Sequence, residues 1–182
     1  MSTTTTPHAP GTFCWVEHGS RDAEAAKRFY PALLGWTIEE TPIPGGAYIM
    51  CRRDGHTVAA MYQLSAEEVA RGIPSHWFPY VAVASADDAA ARAAELGGSV
   101  EAAPFDVMEH GRMAVLKDPT GGHFGVWEAR AHIGAQMRDE PGALCWNELM
   151  TRDPGAAARF YADLMGYELS TMAMPTGDYT IL

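Results

Sequence analysis

The sequence predicts an α+β fold: tandem βαβββ units forming curved mixed sheets, with the helices on the outer face. Three observations lead there. Two segments of the chain repeat one another, short strand-like and helix-like stretches alternate through residue 130, and turn residues punctuate them. Residues 11–51 (GTFCWVEHGSRDAEAAKRFYPALLGWTIEETPIPGGAYIMC) and 142–182 (GALCWNELMTRDPGAAARFYADLMGYELSTMAMPTGDYTIL) align without gaps at an offset of 131, with 16 identities in 41 positions. The identities include Cys14/Cys145, Trp15/Trp146, Glu17/Glu148, Asp22/Asp153, Phe29/Phe160, Tyr30/Tyr161 and Gly35/Gly166. Four segments follow: a disordered lead-in (1–10), a first module of two βαβββ units (11–130), a polar linker (131–141) and the start of a second, incomplete module (142–182). The second copy stops inside an expected strand, so the chain reads as a fragment.

Each element has its own signal. Phe13–His18 is a strand in which Phe13, Trp15 and Glu17 share one face and Cys14, Val16 and His18 the other. Asp22–Leu34 is a helix with Asp22 as N-cap, an apolar stripe of Ala25, Ala26, Phe29 and Leu33, and Gly35 as its stop. Pro31 inside it predicts a kink or a shortened helix. Ala47–Arg52 and Thr57–Gln63 are strands joined by Arg53-Asp54-Gly55-His56, a hairpin signal. Ser65 and Glu68 make a capping box for a short helix. Trp77–Ala84 is a strand, and Ser85-Ala86-Asp87-Asp88 opens a helix ended by Gly97-Gly98. Val107–His110, Arg112–Lys117 and His123–Glu128 are short strands, the last two joined by the turn Asp118–Gly122.

The balance of 13 Lys and Arg against 23 Asp and Glu gives a net charge of −10, which argues against nucleic acid as a partner. The longest uncharged stretch, Gly72–Ala86, is broken by Pro74 and Pro79, so no membrane association is expected. Three well-separated cysteines without a CxxC pair, and an N-terminus without a secretory signal, favour a cytoplasmic protein.

Three runs then carry a family resemblance: Asp22…Arg28-Phe29-Tyr30…Leu34-Gly35-Trp36, Tyr80–Asp87…Leu96-Gly97-Gly98, and Lys117–Phe124. Together they resemble the vicinal oxygen chelate superfamily, which includes glyoxalase I, extradiol dioxygenases and bleomycin-resistance proteins. The resemblance covers the first module and the start of the second. The Cys-Trp-x-Glu opening and the Phe-Gly-Val-Trp closing look most like a two-module bacterial branch labelled glyoxalase-like. The resemblance implies that modules pair, within a longer chain or as a homodimer. It also implies where a metal would be held. Carried over residue by residue, the first-strand ligand falls on Trp15, its second-unit counterpart on Tyr80, and the Glu after the Asp-Pro-x-Gly turn on Gly125; in the second copy the first position is Trp146. Such sites need imidazole, carboxylate or thiolate donors, so no metal and no other cofactor is expected from these positions. His18, His56, His110 and His123 lack the spacing of a ligand pair. Cys14 and Cys145 have helix-facing parity and are expected in the core.

Strand parity sends Trp15, Glu17, Tyr80 and Trp127 toward one hollow, with Arg112 at its rim; Trp146 and Glu148 are the second-copy equivalents. The rings either stack a planar ligand or fill a core. Glu17 either works as an acid/base or meets a cationic ligand, or it makes a structural bond to a backbone amide or to Arg112, or lies in solvent. The expected function is metal-free binding of a small aromatic or amphipathic metabolite in a sheet cavity. The alternative is an enzyme of lyase, isomerase or dioxygenase-like type, using Glu17 as acid/base or a metal held by second-module residues. The 142–182 segment is expected to add little stability.

Overall fold

The computed structural model describes residues 2–43, 45–175 and 177–182. It has the α+β character expected, and the chain divides into two compact units. The first comprises Cys14–Tyr80 and Ile133–Asn147 with the N-terminal residues up to Pro7; the second comprises His8–Phe13, Val81–His132 and Glu148–Leu182.

In the first unit the elements are β1 (Phe13–Ser20), α1 (Ala23–Leu34), β2 (Thr37–Ile43), β3 (Gly46–Arg53), β4 (His56–Gln63), α2 (Ala66–Ala70) and the greater part of β5 (His76–Ala82). The strand order is β2-β3-β4-β1-β5. β1 runs parallel to β4, while β2–β3 and β3–β4 are antiparallel, so the sheet is mixed. The β3–β4 hairpin turns through Asp54 and Gly55, both at positive φ. The Asp22 carboxylate caps α1 by accepting from the Ala25 amide at 2.8 Å, and Gly35 ends the helix in the left-handed region at φ 68°.

The core of this unit lies between α1 and the helix-facing side of the sheet, where Ile49, Cys51, Val58, Ala59 and Met61 pack with Ala26, Trp36 and Met137. Four expectations need correction here. Pro31 does not shorten α1, which is 12 residues long like its repeat counterpart. The proline sits in the last turn, where its carbonyl still accepts from the Gly35 and Trp36 amides. Phe29 and Leu33 are 59% and 64% exposed, so the buried side of α1 is the one carrying Ala26, Tyr30 and Leu34. β2 gave no strand signal because TIEETPI is exposed at every residue and contains Pro42. The lead-in and linker are not loose: the Thr4 amide donates to Gln136 O and the Gln136 amide to Thr57 O, while Met137 is buried.

His18 is buried between the rings of Tyr30 and Trp77, at centroid distances of 4.9 and 5.0 Å. Its Nδ1 has no hydrogen-bond partner. Burial, helped by the neighbouring His76, holds its pKa below the usual histidine value. The unfolded chain therefore takes up a proton that the folded chain refuses, and the His18 contribution is complete above pH ~6.5 and lost as pH falls below it. His132 acts in the same sense, its pKa pushed down to about 4 chiefly by burial. We expect the stability advantage of wild type over His18→Phe to shrink between pH 7 and pH 5 in urea titrations. A constant difference would show that His18 titrates normally.

In the second unit α3 (Ala86–Glu95) precedes β6 (Ser99–Val107), β7 (Gly111–Lys117) and β8 (His123–Ala129), an antiparallel set in the order β8-β7-β6. Of Val107–His110, expected as a strand, Val107 ends β6 and residues 108–110 form the β6–β7 turn, with Met108 at φ 47°. The true strand precedes it, masked by Pro104 and by exposed residues without alternation. α4 (Pro154–Met165) and the hairpin β9 (Ser170–Met174)–β10 (Gly177–Ile181) come from the second copy. Far from adding little, α4 buries Ala157, Phe160 and Tyr161 in the core formed by Val81, Ala90, Leu116 and Phe124. The Tyr161 hydroxyl donates to Asp118 Oδ2 at 3.0 Å. Asp118 also accepts from the Thr120 and Gly122 amides, which fixes the Asp118–Gly122 turn.

Candidate functional site

The sheet of the first unit places its odd β1 residues opposite to α1. Register carries that face across the neighbouring strands: Glu17 pairs with Ala60 and Gly19 with Tyr62, and Tyr62 pairs in turn with Tyr48. The outcome is a surface of rings around one carboxylate. The Tyr48 hydroxyl donates to Glu17 Oε1 at 2.5 Å, and the Trp15 indole N–H reaches the same oxygen and the Tyr48 hydroxyl at 3.3 Å each. The Tyr80 hydroxyl donates to Oε2 at 2.9 Å. Trp15 and Tyr80 are buried and Glu17 is half-buried.

All three partners are neutral, and among the described residues no Lys or Arg pairs with Glu17. Burial raises the Glu17 pKa, and the bonds from Tyr48, Tyr80 and Trp15 only partly offset it. The same burial, reinforced by the carboxylate, lifts Tyr48 and Tyr80 well above the usual phenol range and pushes Tyr62 up to about 12. A carboxylate held in this way keeps a proton more readily than a free carboxyl group, or can face a cationic or hydroxyl-bearing group with no competing cation.

Gly19 shapes the same surface. A Cβ there would stand 2.9 Å from the Tyr62 hydroxyl and from Leu64 Cδ2 and 3.1 Å from His76 Cε1, so a larger residue would push those side chains aside.

Of the residues singled out from sequence, Trp15, Glu17 and Tyr80 come together. Tyr48 and Tyr62 were missed, although Tyr48 recurs as Tyr179 in the repeat, which was a usable signal. Arg112 belongs to the second unit. It is engaged by Asp87 at 2.7 Å and Asp106 at 3.0 Å, because β7 register points it toward the α3 N-terminus and the end of β6. Trp127 belongs to the second unit, where its indole N–H donates to His132 O at 2.8 Å. Trp146 is 61% exposed and Glu148 is also exposed. Residues 145–150 form no strand. Cys145, expected in the core, is exposed, whereas Cys14 is fully buried.

The positions where relatives would hold a metal carry Trp15, Tyr80 and Gly125, which offer no suitable donor set. Among the described residues no three His, Cys, Asp or Glu side chains are grouped to hold an ion. No helix among the described residues is long and apolar enough to cross a membrane.

With this geometry in hand, comparison with known proteins is informative. The model of a family described as Glyoxalase-like domain matches residues 15–127. The protein provisionally named glyoxylase CFP32, of Mycobacterium tuberculosis and Mycobacterium bovis, is 38% identical over 175 residues, covering 94% of this chain and 67% of its own length. Anthracycline biosynthesis protein DauV of a Streptomyces species is 37% identical over 172 residues, covering 88% of this chain and 62% of its own. This chain thus spans about two thirds of the length of its curated relatives. Among solved structures, a 4-hydroxymandelate synthase variant from Streptomyces coelicolor superposes with a TM-score of 0.63 at 14% identity, over 95% of this chain and 58% of that one. A Mn(II)-bound glyoxalase from Novosphingobium aromaticivorans gives 0.59 at 17% identity, over 88% and 54%. At such identities the structural likeness concerns the fold.

Proposed function

This chain belongs to the glyoxalase-like domain family of the vicinal oxygen chelate superfamily, and from that premise we propose that it binds a small aromatic or amphipathic metabolite on the ring-lined sheet face around Glu17, without a metal. One observation carries the reading: a lone carboxylate fixed by an indole and two phenols on one face of the sheet. The partly exposed Tyr48 and Tyr62 offer flat, rigid surface at low entropic cost, the buried Trp15 and Tyr80 hold Glu17 behind them, and Glu17 supplies orientation. The name of one relative points the same way, since anthracyclines are planar fused-ring molecules.

The test is a thermal-shift screen of planar aromatic metabolites, followed by calorimetric titration of the hits. We expect Trp15→Ala to weaken each hit about tenfold or more, roughly 1.4 kcal/mol. Hits bound equally well by Trp15→Ala and Trp15→Phe would refute this binding mode.

A second reading is favoured by the raised pKa of Glu17: the carboxylate moves a proton of the bound molecule, as in an isomerisation. Here Trp15, Tyr48 and Tyr80 are positioning residues that hold both carboxylate oxygens in place. A Glu17→Gln variant keeps the shape but cannot accept a proton. Binding retained with turnover lost supports proton transfer; binding retained with no turnover in either protein leaves the carrier reading alone.

A further inference from the structure

The free hydrogen-bonding capacity of the ring-lined face does not lie mainly on Glu17. A carboxylate has about four acceptor positions, and Trp15, Tyr48 and Tyr80 already donate to this one. The face continues along β5, where alternation brings His76, Phe78 and Tyr80 to one side. Their rings meet edge to face, with centroids 6.3 Å apart for His76 and Phe78 and 5.2 Å for Phe78 and Tyr80. β1 lies between β4 and β5, and Gly19 of β1 pairs with Tyr62 of β4. Tyr62 and His76 are both half-buried.

His76 is held in one tautomer. Its Nδ1 lies 2.9 Å from the Pro74 carbonyl oxygen, which can only accept, so Nδ1 carries the proton. In the neutral ring Nε2 is then an acceptor, and no group among the described residues donates to it. The Tyr62 hydroxyl likewise has no hydrogen-bond partner among the described residues. The missing Cβ of Gly19 lets the two approach: the point it would occupy is 2.9 Å from the Tyr62 hydroxyl and 3.1 Å from His76 Cε1, a ring carbon bonded to Nε2.

Resting on the binding face proposed above, we infer that Tyr62 and His76 form a second polar anchor on it, one that selects planar ligands bearing a ring hydroxyl. The ligand O–H donates to His76 Nε2, and its oxygen accepts from the Tyr62 hydroxyl. A phenol or enol carries both functions on one atom. Its methyl ether keeps the ring and the acceptor but has no proton to give.

The test titrates 2-naphthol and its methyl ether into the full chain by calorimetry and reads the ratio of the two dissociation constants. Tyr62→Phe keeps the ring and removes the hydroxyl. His76→Asn keeps a donor for the Pro74 carbonyl, because its amide nitrogen takes the place of Nδ1, and removes the acceptor at Nε2. Each variant is expected to shift the ratio about tenfold against 2-naphthol while affinity for the ether changes about twofold or less. His76→Gln, whose amide oxygen reaches the Nε2 position, is expected to recover part of the preference. An unchanged ratio in folded Tyr62→Phe and His76→Asn, with both probes still bound, overturns the anchor and leaves the binding face standing. Wild type that binds neither probe counts against the face itself, and the anchor falls with it.

Discussion

Replacing Phe160 by alanine should cost about 3–5 kcal/mol of unfolding free energy, the range for emptying a buried aromatic site. The ring is packed at centroid distances of 6.2 Å from Phe124 and 5.2 Å from Tyr161, and against the backbone at Gly98, where no side chain can move in to fill the gap. The identical change at the repeat-equivalent Phe29 should cost no more than about 0.5 kcal/mol in the isolated chain, since that ring is largely in water. Urea denaturation of the two variants side by side measures the contrast. Equal losses would mean that the two helices are used alike, against the burial seen here.

The second large effect is expected at Tyr48. Its hydroxyl is the shortest donor to Glu17, and bonds to a charged group are worth about 1.5–3 kcal/mol. Tyr48→Phe should therefore destabilise the protein by that amount where Glu17 is ionised, and by less in acid. The sign follows from linkage. The folded pKa of Glu17 is raised, so the stability linked to its protonated form is complete below the unfolded carboxyl value and lost as pH rises through the folded one. Deleting a donor that favours the anion raises the folded value further and steepens the loss. Carboxyl-carbon NMR titration of Glu17 in both proteins, with urea midpoints on either side of the transition, reports both effects. An unchanged titration midpoint would show that the hydroxyl does not support the anion.

Much of this molecule could be read from its residues, and the failures have physical causes. β1, α1, β3, β4, α3, β7 and β8 were legible because caps, turn glycines and alternating burial agree there. β2 and β6 were not: both are outer strands with a proline and little buried surface, so period-two patterning is absent. The stripe on α1 was seen correctly as apolar but assigned to the core, since pattern reports hydrophobicity and not what covers it. In the site, parity found Trp15, Glu17 and Tyr80 because each lies on a strand with a clear phase. Tyr48 and Tyr62 needed the β1–β4–β3 register, which depends on pairing between distant segments. For Arg112 the sequence pattern did not single out its partners, Asp87 and Asp106 of the same unit.

The outermost strand of the first unit has a further bearing on the protein's behaviour at high concentration. β2 leaves one side of its backbone unpaired, the kind of border onto which a stray chain could zip and start a fibril. Here Glu39 and Glu40 are tied to Arg52 and Lys27, and Pro42 withholds an amide that a newcomer would need. Growth by strand addition is thereby obstructed with charge and a missing donor.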